Sequence, residues 1–104
     1  MCGIFALLNN NMTISDEIVK KAFNNLKHRG PDDSRINKLT IDFNGDRYKS
    51  ITLGFHRLSI NDLSNDGMQP FVNDVGHIYL ICNGEIYNSN ELRQRFNLNT
   101  KSNS

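Results

Sequence analysis

The chain opens on an apolar run, Ile4-Phe5-Ala6-Leu7-Leu8, bounded by Gly3 and by Asn9-Asn10-Asn11. A continuous apolar run between turn formers predicts a strand over 3–8, buried on both faces. The period then changes. Ile18, Val19, Ala22, Phe23 and Leu26 recur at helical spacing on an otherwise polar surface, with Ser15 or Asp16 placed to cap the helix start. Gly30 falls where a residue just past a helix end is expected, and Pro31 prevents continuation. Residues 39–43 and 47–55 flank Asn44-Gly45, a dipeptide that predicts a hairpin turn, and the second arm extends towards Leu58. A polar loop follows from Asn61 to Gly67. His77 to Cys82 reads as a second buried strand that ends at Asn83-Gly84. Asn88 with Glu91 three residues later resembles a capping box for a helix over Ser89–Phe96. Strands and helices are mixed without regular βαβ alternation, so the expected class is α+β with mostly antiparallel strands.

Length and composition narrow this picture only slightly. At 104 residues the chain is one domain with a modest core. A net charge of +1 gives no reason to expect nucleic acid or an anionic membrane as a partner. No apolar run approaches a membrane span, and the start of the chain lacks the basic region of a signal peptide. Two cysteines without CxxC spacing suit a reducing, cytoplasmic setting and predict no metal site.

Chemistry enters at Cys2. With Met1 removed, one residue carries a thiol nucleophile and a free α-amine able to act as its base. The plain alternative is a small buried hydrophobe at a strand start. Attack on an amide needs donors at the developing oxyanion, and the Asn83 side chain with the Gly84 N–H could supply two, unless the pair is a simple turn. Arg57 is a natural receptor for a substrate carboxylate, or else an exposed arginine on a strand. Glu85 could grip an ammonium, or stand solvated in a loop. Together these groups describe a site for a free amino acid with a side-chain amide, glutamine or asparagine. His56 and His77 read as structural, and Cys82 as a buried, inert thiol.

Five segments in order carry a family resemblance: Met-Cys-Gly-Ile-Phe at 1–5, His-Arg-Gly-Pro-Asp at 28–32, Arg-Leu-Ser-Ile at 57–60, Gln-Pro at 69–70 and Asn-Gly-Glu-Ile-Tyr-Asn at 83–88. From residue 1 to about residue 96 the chain resembles the glutaminase domain of class II glutamine amidotransferases, which are N-terminal nucleophile hydrolases. Within them it is most similar to glutamine-hydrolysing asparagine synthetases. The resemblance implies that Cys2 attacks the glutamine amide and that Asn83 and Gly84 form the oxyanion hole. It implies that Arg57 holds the α-carboxylate, that Glu85 holds the amino group or supports the pocket, and that backbone around Ile60 and Asn61 lines the pocket. Arg29 would support the pocket without touching substrate. The products would be glutamate and ammonia, with no cofactor in this domain. ATP and magnesium would serve a synthetase domain, or a second chain, that amidates aspartate. The implied fold is an αββα sandwich. Residues 1–104 are expected to be a truncated part of it, because family members continue through further strands. Residues 100–104 resemble the approach to a substrate-binding Ser-Asp pair, but no Asp follows Ser104, and either Asn103 replaces it or it is lost with the remainder. A non-catalytic remnant, or a split-gene half that pairs with a second chain, is the alternative expectation.

Overall fold

The computed structural model describes residues 1–9, 14–40 and 49–101. Strand β1 covers Gly3–Asn9, helix α1 Asp16–Asn24, strand β2 Asp33–Thr40 and strand β3 Ser50–Arg57. Two short strands, β4 at Phe71–Val72 and β5 at Tyr79–Leu80, precede helix α2 at Ser89–Arg95. The fold is therefore mixed α and β with antiparallel sheets, as the patterning predicts. β3 is the centre of a three-stranded sheet in the order β1-β3-β2. Gly3 lies opposite His56 on one side of it, and Asp33 opposite Arg57 on the other.

One face of this sheet meets α1, and Phe23 is the anchor. Its ring meets Phe5 edge-on, with centroids 5.9 Å apart, and stacks on His56 at 3.8 Å. Gly54 is needed beneath it, because a Cβ there would lie 2.6 Å from the Phe23 ring. His56 is fully buried; its ring nitrogens lie 2.6 Å from Ser34 Oγ and 2.8 Å from the Phe23 carbonyl oxygen. Both polar atoms are therefore paired inside an apolar layer, consistent with a structural role.

Ser15 makes the helix cap, accepting the Ile18 N–H at 3.3 Å. Ser15→Ala is expected to cost about 1 kcal/mol of stability by urea denaturation. Lys38 pairs with Asp16 at 3.1 Å and links the start of α1 to β2, but both side chains are exposed and the pair contributes little.

Several expectations are corrected. β1 is buried on one face only: Ile4 and Leu8 are about half exposed, because the sheet face opposite α1 carries no layer among the described residues. The molecule is 19 Å thick, and its radius of gyration of 15.6 Å exceeds the roughly 13 Å of a compact chain this long. Helix α1 stops at Asn24 and yields to a 3-10 turn over Lys27–Arg29, so Gly30 closes that turn and not the α-helix. The first arm of the expected hairpin begins earlier, at Asp33, since backbone pairing with β3 stabilises a segment whose side chains are largely polar. The Asn44-Gly45 turn itself lies outside the described residues.

The expected buried strand at His77–Cys82 reduces to Tyr79–Leu80, paired with Phe71–Val72. Ile78 and Leu80 are exposed, as is Cys82, so its thiol is not a buried one. Asn73 organises this hairpin: its side-chain oxygen accepts the N–H groups of both His77 and Ile78 at 2.8 Å. Asn88 precedes α2 as expected but makes no side-chain cap bond. No helix among the described residues is long and apolar enough to cross a membrane.

Candidate functional site

The start of β1 and the end of β3 are neighbours in the sheet, and that pairing sets Cys2 beside Leu58. The Leu58 N–H donates to Cys2 Sγ across 3.3 Å, and the thiol faces the Leu58 carbonyl at 3.7 Å. Arg29, from the 3-10 turn, donates its Nε–H to the Cys2 carbonyl at 3.5 Å. Cys2 is half-buried. Beside it an open depression of about 410 Å³ is lined by Met1, His28, Arg29, Pro31 and Leu58.

Arg57 is buried at 5% exposure. Its guanidinium donates to the backbone carbonyls of Asp62 and Ser64, so the loop after β3 folds back over its own arginine. Two of its five N–H donors are used in this way. Asp32 touches the same segment twice. Its N–H donates to the Arg57 carbonyl at 3.0 Å, and its carboxylate accepts the Ser59 N–H at 2.7 Å.

A second cluster surrounds Gln69. Its side-chain amide accepts the Cys82 N–H at 2.6 Å and donates to the Cys82 carbonyl at 3.0 Å. One side chain thereby acts as a strand partner for the residue immediately before Asn83-Gly84. Gln69→Leu removes both bonds and is expected to cost about 1–2 kcal/mol in urea denaturation. Asn83, Gly84 and Glu85 are exposed. Among the described residues no hydrogen bond joins them to Cys2.

The model of the glutamine amidotransferase domain family matches residues 1–104, the whole chain. The chain belongs to that family. It is 39% identical over 97 residues to asparagine synthetase (glutamine-hydrolyzing) 2 of Bacillus subtilis, covering 89% of this chain and 12% of the relative. It is 38% identical over 104 residues to the asparagine synthetase (glutamine-hydrolyzing) of Mus musculus, covering 99% of this chain and 17% of the relative. The Homo sapiens protein of that name is 37% identical over 97 residues, covering 92% and 16%. The chain thus spans about a fifth or less of the length of these relatives. No solved structure matches it.

Within this amidotransferase domain the structure gathers Cys2, Arg29 and the Arg57–Leu58 segment into one cluster. Ile60 and Asn61 lie exposed in the loop that Arg57 holds. Asn83, Gly84 and Glu85 stand on the separate segment that Gln69 clamps. Three contributors were not singled out as site residues from the sequence: the Leu58 N–H, Asp32 and Gln69. A backbone donor leaves no side-chain signal. Asp32 and Gln69 did leave one, since both sit inside the His-Arg-Gly-Pro-Asp and Gln-Pro segments.

Proposed function

We propose that this domain hydrolyses glutamine to glutamate and ammonia with Cys2 as nucleophile. The observation that carries the reading is a half-buried Cys2 whose thiol meets Leu58, a residue lining an open depression, in a chain matched over its whole length by an amidotransferase model. Met1 must first be removed to free the Cys2 α-amine. Sγ then bonds to the side-chain amide carbon, and its proton passes to the α-amine. The tetrahedral intermediate collapses with loss of ammonia, which takes that proton, and leaves a thioester. Water, deprotonated by the same amine, attacks the thioester; the C–S bond breaks, and glutamate and the thiol are released.

Asn83 and Gly84 supply the oxyanion donors in this reading, and their exposure leaves both groups open to a bound substrate. Arg57 holds the α-carboxylate with donors not engaged by Asp62 and Ser64, Glu85 receives the amino group, and Ile60 and Asn61 border the substrate. Arg29 fixes the Cys2 backbone. The domain takes its place in an αββα sandwich, whose further layer would cover the open face of β1. The ammonia serves asparagine synthesis, as the names of the relatives suggest, through the ATP- and magnesium-dependent amidation of aspartate that the family resemblance implies. Magnesium and ATP belong to the synthetase unit in this reading. The test is glutamate release from glutamine by the purified chain against a Cys2→Ala control, with mass spectrometry of the N-terminus. No release above the control would overturn the reading.

A further inference from the structure

We infer that Asp32 is a positioning residue that aims the Leu58 N–H at the Cys2 sulfur, making that N–H a stabiliser of the thiolate. The inference rests on the reading of Cys2 as nucleophile, but its geometry is independent of glutamine. Leu58 is bracketed by one residue. The Asp32 N–H holds the carbonyl of Arg57 just before it at 3.0 Å, and the Asp32 carboxylate holds the N–H of Ser59 just after it at 2.7 Å. The Arg57 carbonyl and the Leu58 N–H belong to one planar peptide unit, so holding that unit and the next one leaves the Leu58 N–H little freedom to turn away. Its N–H meets Sγ at 3.3 Å. A donor held towards sulfur strengthens as the sulfur gains negative charge, because a hydrogen bond to an ionised acceptor is about twice as strong as a neutral one.

The sequence explains the bracket. Pro31 fixes its own φ just before Asp32, and β2 begins at Asp33, so the aspartate is held between a rigid turn and a strand. The charged and titratable groups around Cys2 are its own or the Met1 α-amine, His28, Arg29 and Asp32. Arg57, also close, turns its guanidinium into the loop, and His56, opposite Gly3, is paired with Ser34 and Phe23.

Charge and positioning make opposite predictions at Asp32. Removing a nearby negative charge favours the thiolate; losing the bracket disfavours it. Asp32→Asn removes the charge but keeps an oxygen that can accept the Ser59 N–H, whereas Asp32→Ala removes both. The experiment is the pH profile of iodoacetamide alkylation, resolved by peptide mapping so that exposed Cys82 serves as the internal control. Asp32→Ala is expected to slow Cys2 alkylation at neutral pH about tenfold, with Asp32→Asn within twofold of wild type and Cys82 unchanged. Equal profiles in all three proteins, equal slowing by both variants, or faster alkylation in Asp32→Ala would overturn the inference. A wild-type measurement guards against an alanine variant that does not fold: the Leu58 amide proton should shift in NMR as the Cys2 thiol titrates. A Leu58 amide blind to that titration would also overturn it. Because neither readout uses glutamine, a chain without glutaminase activity would sink the proposed function and leave this inference standing or falling by itself.

Discussion

Cys2→Ala is expected to bring glutamate release down to the uncatalysed background, a fall of at least about a thousandfold. Neither group that hydrogen-bonds to Cys2 can take over. Arg29 and the Leu58 N–H are donors without nucleophilic character, and Cys82 sits on the segment that Gln69 clamps, with no hydrogen bond to the Cys2 cluster among the described residues. Stability should barely change, because Cys2 is half-buried and, among the described residues, its thiol hydrogen-bonds with Leu58 alone. A coincident loss of activity and of the urea midpoint would point to misfolding instead. Cys2→Ser preserves a group that can accept the Leu58 N–H, yet it too should lose most activity, since a hydroxyl lacks the intrinsic nucleophilicity of a thiolate. Wild-type chain that retains Met1 should be equally inactive: its Cys2 nitrogen is an amide and cannot act as a base. The N-terminal mass therefore has to be read from the same sample as the rate.

What the sequence made legible follows from which forces leave a side-chain signature. The apolar run over residues 4–8 announced β1, and the spacing of Ile18, Phe23 and their neighbours announced α1. The same apolar run could not announce that one face of β1 stays open, because burial on a face depends on what lies opposite it. Asp33–Lys38 looked unlike a strand since its side chains are mostly polar; its order comes from main-chain pairing with β3. The end of α2 was legible, since the helix expected over Ser89–Phe96 stops at Arg95 with Phe96 as its C-cap, but the way it is capped was not. Asn97 adopts a left-handed φ of 49°, and the N–H groups of Asn97 and Leu98 return to the carbonyls of Gln94 and Arg93, the bonding of a Schellman cap. An asparagine in a polar tail announces this only weakly.

The candidate site divides along the same line. Cys2, Arg57 and Asn83-Gly84 could be singled out as candidates because their chemistry resides in side chains or in an unusual position. The carbonyls of Asp62 and Ser64 that receive Arg57, and the Leu58 N–H that meets the thiol, are backbone groups available at almost every residue. Only the fold selects which of them matter. Gly30 shows how a motif can be recognised while its reason is misread: a helix terminus accounts for the glycine in the sequence, but close approach accounts for it in the structure.

Gly30→Ala is accordingly expected to destabilise the domain by about 3 kcal/mol or more. The backbone conformation is not the obstacle, since φ is −144° and open to any residue. The obstacle is the central strand. A Cβ at Gly30 would lie 2.1 Å from the His56 carbonyl oxygen, 2.3 Å from its carbon and 2.7 Å from the Arg57 carbonyl carbon. These atoms cannot retreat as the tip of a flexible side chain would, because β3 is bonded to β1 on one side and to β2 on the other. The alternative is for the 3-10 turn to lift away, carrying Arg29 off the Cys2 carbonyl and Asp32 off Arg57 and Ser59. Either relaxation separates the Leu58 N–H from the Cys2 sulfur, so the fraction that still folds should also show the slowed Cys2 alkylation expected of Asp32→Ala. Urea denaturation followed by far-UV circular dichroism measures the first effect, and peptide-resolved alkylation the second. An unchanged urea midpoint would mean that the turn and the strand do not approach as closely as this geometry requires. A lowered midpoint with wild-type Cys2 reactivity would mean that the turn stabilises the sheet without setting the thiol's surroundings.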